Sequence, residues 1–187
     1  MRTLLVLAFM FVSVGAAPQQ QAPANHFAQS MTDFLKRVDG YMKLRGEITR
    51  KVPEVKETGD PSKISAREKA LGQAIAKARA TAKSGDVFGP EMSAYLKKTL
   101  AEDWKSRSPA DRKALFEEIP PNLRLNVNQA YPTTLPLVSA PANLLAKLPM
   151  LPEELEFRLV DRYFLLRDRD ANLIIDVLPN VYPTRNR

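Results

Sequence analysis

Cysteine is absent from this sequence, and histidine and tryptophan occur once each. Without cysteine there are no disulfides, no thiolate metal sites and no cysteine nucleophile, and no lipid can be attached through a thiol. The single histidine, His26, rules out metal sites built on His and Cys. A Ser-His-Asp triad would have to use this residue, close to the chain start. No serine has a lysine three residues later, and Gly-x-Ser-x-Gly does not occur. The seven glycines are scattered, so no Gly-rich phosphate loop is present. Asn-x-Ser/Thr acceptors are missing as well. Beyond residue 16, no apolar run approaches the roughly 18 residues of a membrane span.

What the chain does have begins with its first sixteen residues. Arg2 supplies a positive start, Leu4 to Val14 is an uncharged apolar run, and Val14-Gly15-Ala16 places small residues for cleavage after Ala16. Polar Gln19-Gln20-Gln21 follows. This is the pattern of a secretory signal peptide rather than a membrane anchor. With no disulfide and no glycosylation acceptor, it predicts bacterial export to the periplasm or the medium. Residues 17–24 are expected to be a flexible N-terminus, and 25–187 one domain.

At 44% hydrophobic and 26% charged residues, the composition is that of a globular protein. The formal net charge of +7 is unevenly placed. Residues 17–83 carry 13 Lys/Arg against 7 Asp/Glu, whereas residues 84–187 carry 14 of each. An excess confined to one region suits attraction to an acidic protein or an anionic polymer, and it equally suits a lysine-rich, solvated helix face.

The pattern then predicts helices. Phe27, Met31, Phe34, Leu35, Val38, Tyr41 and Met42 share one face of a helix over 25–45. Gly46, Pro53, Gly59 and Pro61 mark a connector. A second helix is expected from about Ser62 to Lys83, with Ser62, or Ser65 paired with Glu68, as its cap. Ile64, Leu71, Ile75, Ala78 and Ala82 form its stripe, flanked by Lys63, Arg67 and Lys77 on one side and Lys69, Arg79 and Lys83 on the other. A third helix over 90–105 buries Met92, Leu96, Leu100 and Trp104, with Tyr95 also in the core. Ser108-Pro109, with Asp111 three residues after the cap, opens a short fourth helix that carries Leu115, Phe116 and Ile119.

Seven of the fifteen prolines fall within residues 120–152, which forbids long regular elements there. Within that stretch, residues 121–131 fit either a strand or, preferably, a three-turn helix. Asn143 to Lys147 suggests a single turn, and the remaining Leu and Val side chains are expected to wrap over the helices. After Pro152 the period changes to two. Leu155, Phe157 and Leu159 alternate with Glu156 and Arg158, followed by strands over 163–167 and 173–178. The whole reads as an α+β domain of three to four helices, a Pro-rich irregular segment and a C-terminal three-stranded antiparallel meander. The helices are expected to cover one sheet face.

The run Leu148-Pro149-Met150-Leu151-Pro152-Glu153-Glu154-Leu155 and the closing hairpins, Glu156 to Val160 and Ala171 to Asp176, follow a signal peptide and basic helices. In this arrangement the chain resembles a group of uncharacterised exported bacterial proteins. The likeness implies a helix-plus-hairpin exported protein and no activity, cofactor or site residue.

Among candidate sites, Asp168-x-Asp170-x-Asn172 matches the start of a calcium loop. It has Leu173 where such a loop needs glycine and Pro179 where it needs a bidentate glutamate. A turn between strands needs the same residue types. Glu117-Glu118 and Glu153-Glu154 are adjacent pairs whose side chains point apart, whereas glycan hydrolysis needs two carboxylates that converge. The basic helix lacks the Phe or Trp of a membrane-surface helix, so any membrane contact is peripheral. It also lacks the interleaved aromatics of a nucleic-acid site. The expectation is a non-catalytic binding protein without cofactor or metal. It would dock an acidic protein or anionic envelope polymer through Lys63, Arg67, Lys69, Lys77, Arg79 and Lys83. Two alternatives stand beside it: a structural or assembly component of the envelope that uses the apolar side chains of 132–152, and a carboxylate-dependent glycan hydrolase.

Overall fold

The computed structural model describes residues 23–54, 60–117, 119, 120 and 122–183. The expected signal peptide, and the segment up to residue 22, lie outside the described residues. Among the described residues five helices precede a three-stranded antiparallel sheet, an α+β fold. The helices are α1 (Pro23–Thr49), α2 (Pro61–Ala78), α3 (Gly89–Ser106), α4 (Pro109–Ala114) and α5 (Ala142–Leu145). The strands are β1 (Leu155–Val160), β2 (Tyr163–Asp168) and β3 (Leu173–Pro179), in the order β1-β2-β3.

The buried stripe of α1 runs Ser30, Phe34, Val38, Tyr41, Arg45, at spacings of four, four, three and four residues. The expected stripe is therefore rotated: Leu35 is exposed, and Phe27 lies at the edge against the ring of Tyr95. The helix passes Gly46 and ends four residues later than expected, because Arg45 is anchored to the sheet and Ile48 packs on the core.

Asp60 caps α2, accepting from the backbone N–H of Ser62 at 2.9 Å, in place of the predicted serine caps. Leu71 and Ile75 are buried, but Ile64 is 56% exposed. The helix stops at Ala78, short of the predicted Lys83. Its end is fixed by Asn128, whose side-chain amide donates to the carbonyl of Arg79 at 2.6 Å. In α3, Met92, Leu96 and Leu100 are buried as expected, while Trp104 and Tyr95 are half-buried. Ser108 caps α4 through the N–H of Asp111. That helix is a single turn and a half, and Phe116 and Ile119 reach the core from the turns that follow it.

Hairpin loops at Asp161-Arg162 and 169–172 set the meander, with Val160 opposite Tyr163 and Asp168 opposite Leu173. Asp161 and Asn172 adopt positive φ, which Asp and Asn tolerate best after glycine. Both faces of the sheet are covered. On one face Phe157 and Phe164 meet Phe34 of α1 and Phe88, with ring centroids 5.5–6.1 Å apart. On the other, Ile119, Leu125, Tyr131 and Leu135 pack on Val160, Tyr163, Leu165, Ile174 and Val177.

The first part of the Pro-rich segment, up to Leu135, therefore covers the sheet face turned away from the helices, while Ala140 and Leu144, with Leu148 and Leu151 against them, join the helix-side core. Residues 122–131 are not helical; they run open and then pair with the edge of β3. The N–H groups of Asn128 and Tyr131 donate to Ile174 and Asn172, and Ile174 returns a bond to Gln129, all at 2.9 Å. At the other edge, Ser139 bridges Arg158 of β1. These bonds occupy strand edges that would otherwise present unpaired backbone groups.

Candidate docking surface

Five of the six basic residues on and after α2 reach solvent. Lys63, Lys69, Lys77 and Lys83 are exposed and Arg67 is half-buried. None of the five takes part in an ion pair among the described residues. The helix itself places them: with Leu71, Gly72 and Ile75 turned inward, Lys69 and Lys77 fall on the opposite side.

Arg79 is the exception, and the expectation for it is corrected. Its guanidinium turns inward, donating to the carbonyl of Ile175 at 2.9 Å and to Oδ1 of Asn128 at 3.2 Å, and it lies over the ring of Tyr41. Burial holds its pKa below the ordinary arginine value. It fastens α2 to β3 and is not free to meet a partner.

Arg79 is one of six arginines turned to internal contacts, a use to which no described lysine is put. Every described lysine is exposed. Arg45, Arg79, Arg107, Arg112, Arg158 and Arg167, by contrast, are spent on internal contacts. A guanidinium can satisfy several acceptors in one plane, whereas an ammonium keeps its hydration more tightly. Asp103, Glu156 and Asp168 are thus each met by an arginine, whereas the lysines stay at the surface.

The calcium-like motif belongs to this internal set. Asp168, fully buried, accepts from Tyr41 at 2.6 Å, from Nε of Arg45 at 2.7 Å and from the N–H of Ala171 at 2.9 Å. Asp170 takes the second arm of Arg45 at 2.6 Å, and Asn172 accepts from Arg167 at 2.7 Å. The three oxygen-bearing side chains engage two different arginines, and together with the turn backbone they lock α1 onto the β2–β3 loop. Burial, and then the Asp168 carboxylate, push the Tyr41 phenol well above its ordinary range.

A second anchor is Asp176. The register of β3 shifts between Leu166 and Arg167 of β2, so Ile175 and Asp176 both face the helix side. There the carboxylate accepts from the N–H groups of Gly85, Val87 and Phe88 at 2.7–2.8 Å, fixing the α2–α3 connection. Burial pushes its pKa up against the pull of these donors. A lone acid within Leu173–Leu178 is the sequence signal that could have identified it. Arg45, four residues after Tyr41 on the buried stripe, offers a similar one.

The remaining candidates are dispersed. Glu154 lies 3.6 Å from Arg45, Glu153 and Glu117 are exposed, and Glu118 lies outside the described residues. His26 is exposed on the first turns of α1. Among the described residues no group of three or more His, Cys, Asp or Glu is placed to hold a metal ion, and no helix is long and apolar enough to cross a membrane. No family model, curated protein or solved structure matches the chain.

Proposed function

We propose that this is a non-catalytic, exported binding protein that docks an acidic protein or an anionic envelope polymer on the outward face of α2 and the turn that follows it. The observation that carries this reading is the set of exposed cations Lys63, Lys69, Lys77 and Lys83, with Arg67 beside them, left without carboxylate partners while Asp103, Glu156 and Asp168 are each met by an arginine. Such a face raises association rates through long-range attraction and loses affinity as salt screens it. The test is envelope association of the full chain and of the triple variant Lys63→Glu/Lys69→Glu/Lys77→Glu at increasing salt. The reading requires the native chain to be released by salt and the variant to bind weakly at every concentration. Equal binding by both would sink it.

A second reading draws on the Pro-rich segment, where Met150 is 94% and Leu137 52% exposed and Leu145 is also exposed. These side chains suit an apolar contact in an envelope assembly. Retention through high-salt washing favours that role over electrostatic docking.

A further inference from the structure

An open cleft of about 420 Å³ lies between the end of α3, the β1–β2 loop and the chain that follows β3. Its lining includes Trp104, Lys105, Arg162, Asn180, Tyr182 and Pro183. The volume falls within the range of about 300–1,000 Å³ usual for small-molecule sites.

The walls are held from behind. The N–H of Val181 donates to the carbonyl of Arg162 at 3.0 Å, fastening the chain after β3 to the hairpin loop. The phenol of Tyr182 donates to Asp103, whose carboxylate is also held by Arg107 at 2.7 Å. Trp104 is held by the rings of Tyr182 and Phe116, centroids 5.0 and 5.9 Å away, and by the guanidinium of Arg112, 5.2 Å from the indole centroid, and stays partly exposed where it lines the cleft.

The charge in the cleft is not consumed in the same way. The guanidinium of Arg112 donates to the carbonyls of Trp104 and Lys105, which satisfies the negative end of α3. Asp103 is engaged behind the wall. Lys105 and Arg162 have no carboxylate partner among the described ion pairs, and the bond of Arg162 to Val181 uses only its backbone. The partly exposed indole beside two cations provides an apolar wall for a flat ring and charge for an anionic group.

We propose that this cleft binds a small, flat-ringed organic carboxylate, with the ring against Trp104 and the carboxylate between Lys105 and Arg162. The site is distinct from the α2 face, and it stands or falls independently of that reading.

Trp104 is the only tryptophan, so its fluorescence reports on this cleft alone. The experiment titrates the full chain with benzoate, benzyl alcohol and acetate, follows Trp104 emission, and repeats the series on Lys105→Gln/Arg162→Gln. Both substituted side chains lie at the surface of the cleft, and a thermal melt confirms folding. Benzoate should give a saturable change, and benzyl alcohol and acetate should bind about tenfold more weakly or worse. The variant should lose about tenfold in benzoate affinity with its benzyl alcohol response unchanged, as expected for loss of a charge-assisted contact. No saturable change with benzoate, equal binding of benzoate and either control, or unchanged benzoate affinity in the variant would each overturn the proposal.

Discussion

Nε of Arg45 on α1 lies 2.7 Å from Oδ2 of Asp168 at the end of β2, a buried ion pair that joins the first helix to the last hairpin across 123 residues of chain. Asp170 and Glu154 sit around the same guanidinium, and Asp168 raises the pKa of Arg45 against the effect of burial. Truncating the arginine leaves a fully buried carboxylate with only Tyr41 and Ala171 as donors. Arg45→Met should therefore cost about 3–5 kcal/mol, the usual penalty for orphaning one partner of a buried pair. Urea denaturation measures it, and a loss below about 1 kcal/mol would show that the pair is not a principal tie.

Two helical glycines should respond in opposite directions. A Cβ on Gly72 would stand 2.6 Å from the backbone oxygen of Ala171, where α2 crosses the β2–β3 loop, whereas one on Gly40 meets nothing within 4 Å. Gly72→Ala should destabilise by about 1–3 kcal/mol through overpacking. Gly40→Ala, on the exposed side of α1, should stabilise by about 0.5–1 kcal/mol through helix propensity. Thermal melts of the two variants read both signs.

Removing the Asp176 carboxylate strips the α2–α3 connection of its acceptor. Asp176→Ala should cost about 1–3 kcal/mol for the unsatisfied donors. The loss should appear as faster hydrogen exchange at Val87 and Phe88, while amides in the β1–β2 ladder keep their relative protection. Uniform acceleration across all three strands would contradict a local role.

The acid limb of the stability curve should depend on Glu156. Burial pushes this carboxyl up, but hydrogen bonds from Arg158 and Arg167 outweigh that and hold its pKa below the ordinary glutamate value of 4.5. In acid the unfolded chain therefore takes up this proton before the folded one does. The stabilisation is complete above the unfolded-state value and is lost as pH falls through the lower folded-state value. Glu156→Gln should flatten the fall in stability below about pH 5, where glutamate begins to titrate, and equal slopes in both proteins would argue against the assignment.

Local pattern and long-range pairing were not equally visible in the sequence. The meander was legible because Phe157, Leu159 and their neighbours alternate strictly and Asp161 and Asn172 sit where the chain must reverse. Met92, Leu96 and Leu100 declared α3 in the same way. Hydropathy misplaced the face of α1, since it ranks Leu35 above Ser30 and Arg45. Arg45 is buried only because Asp168 is there to meet it. Asn128, which stops α2 at Ala78, is 49 residues from Arg79, and the edge bonds of 128–131 depend on β3 lying alongside. The lysines of the candidate face could be read from helical spacing. The inward turn of Arg79 could not, because its acceptors belong to β3 and the Pro-rich segment.

The docking claim turns on whether affinity follows position on the surface or only total charge. The deciding measurement is the salt dependence of binding to poly-L-glutamate for three proteins: the native chain, Lys63→Glu/Lys69→Glu/Lys77→Glu, and Lys97→Glu/Lys98→Glu/Lys113→Glu, which reverses the same number of exposed charges elsewhere. The account predicts that the α2 variant loses both affinity and salt dependence while the control stays close to native. Equal losses in the two variants would mean that net charge alone attracts the polymer and that α2 is an ordinary solvated helix face.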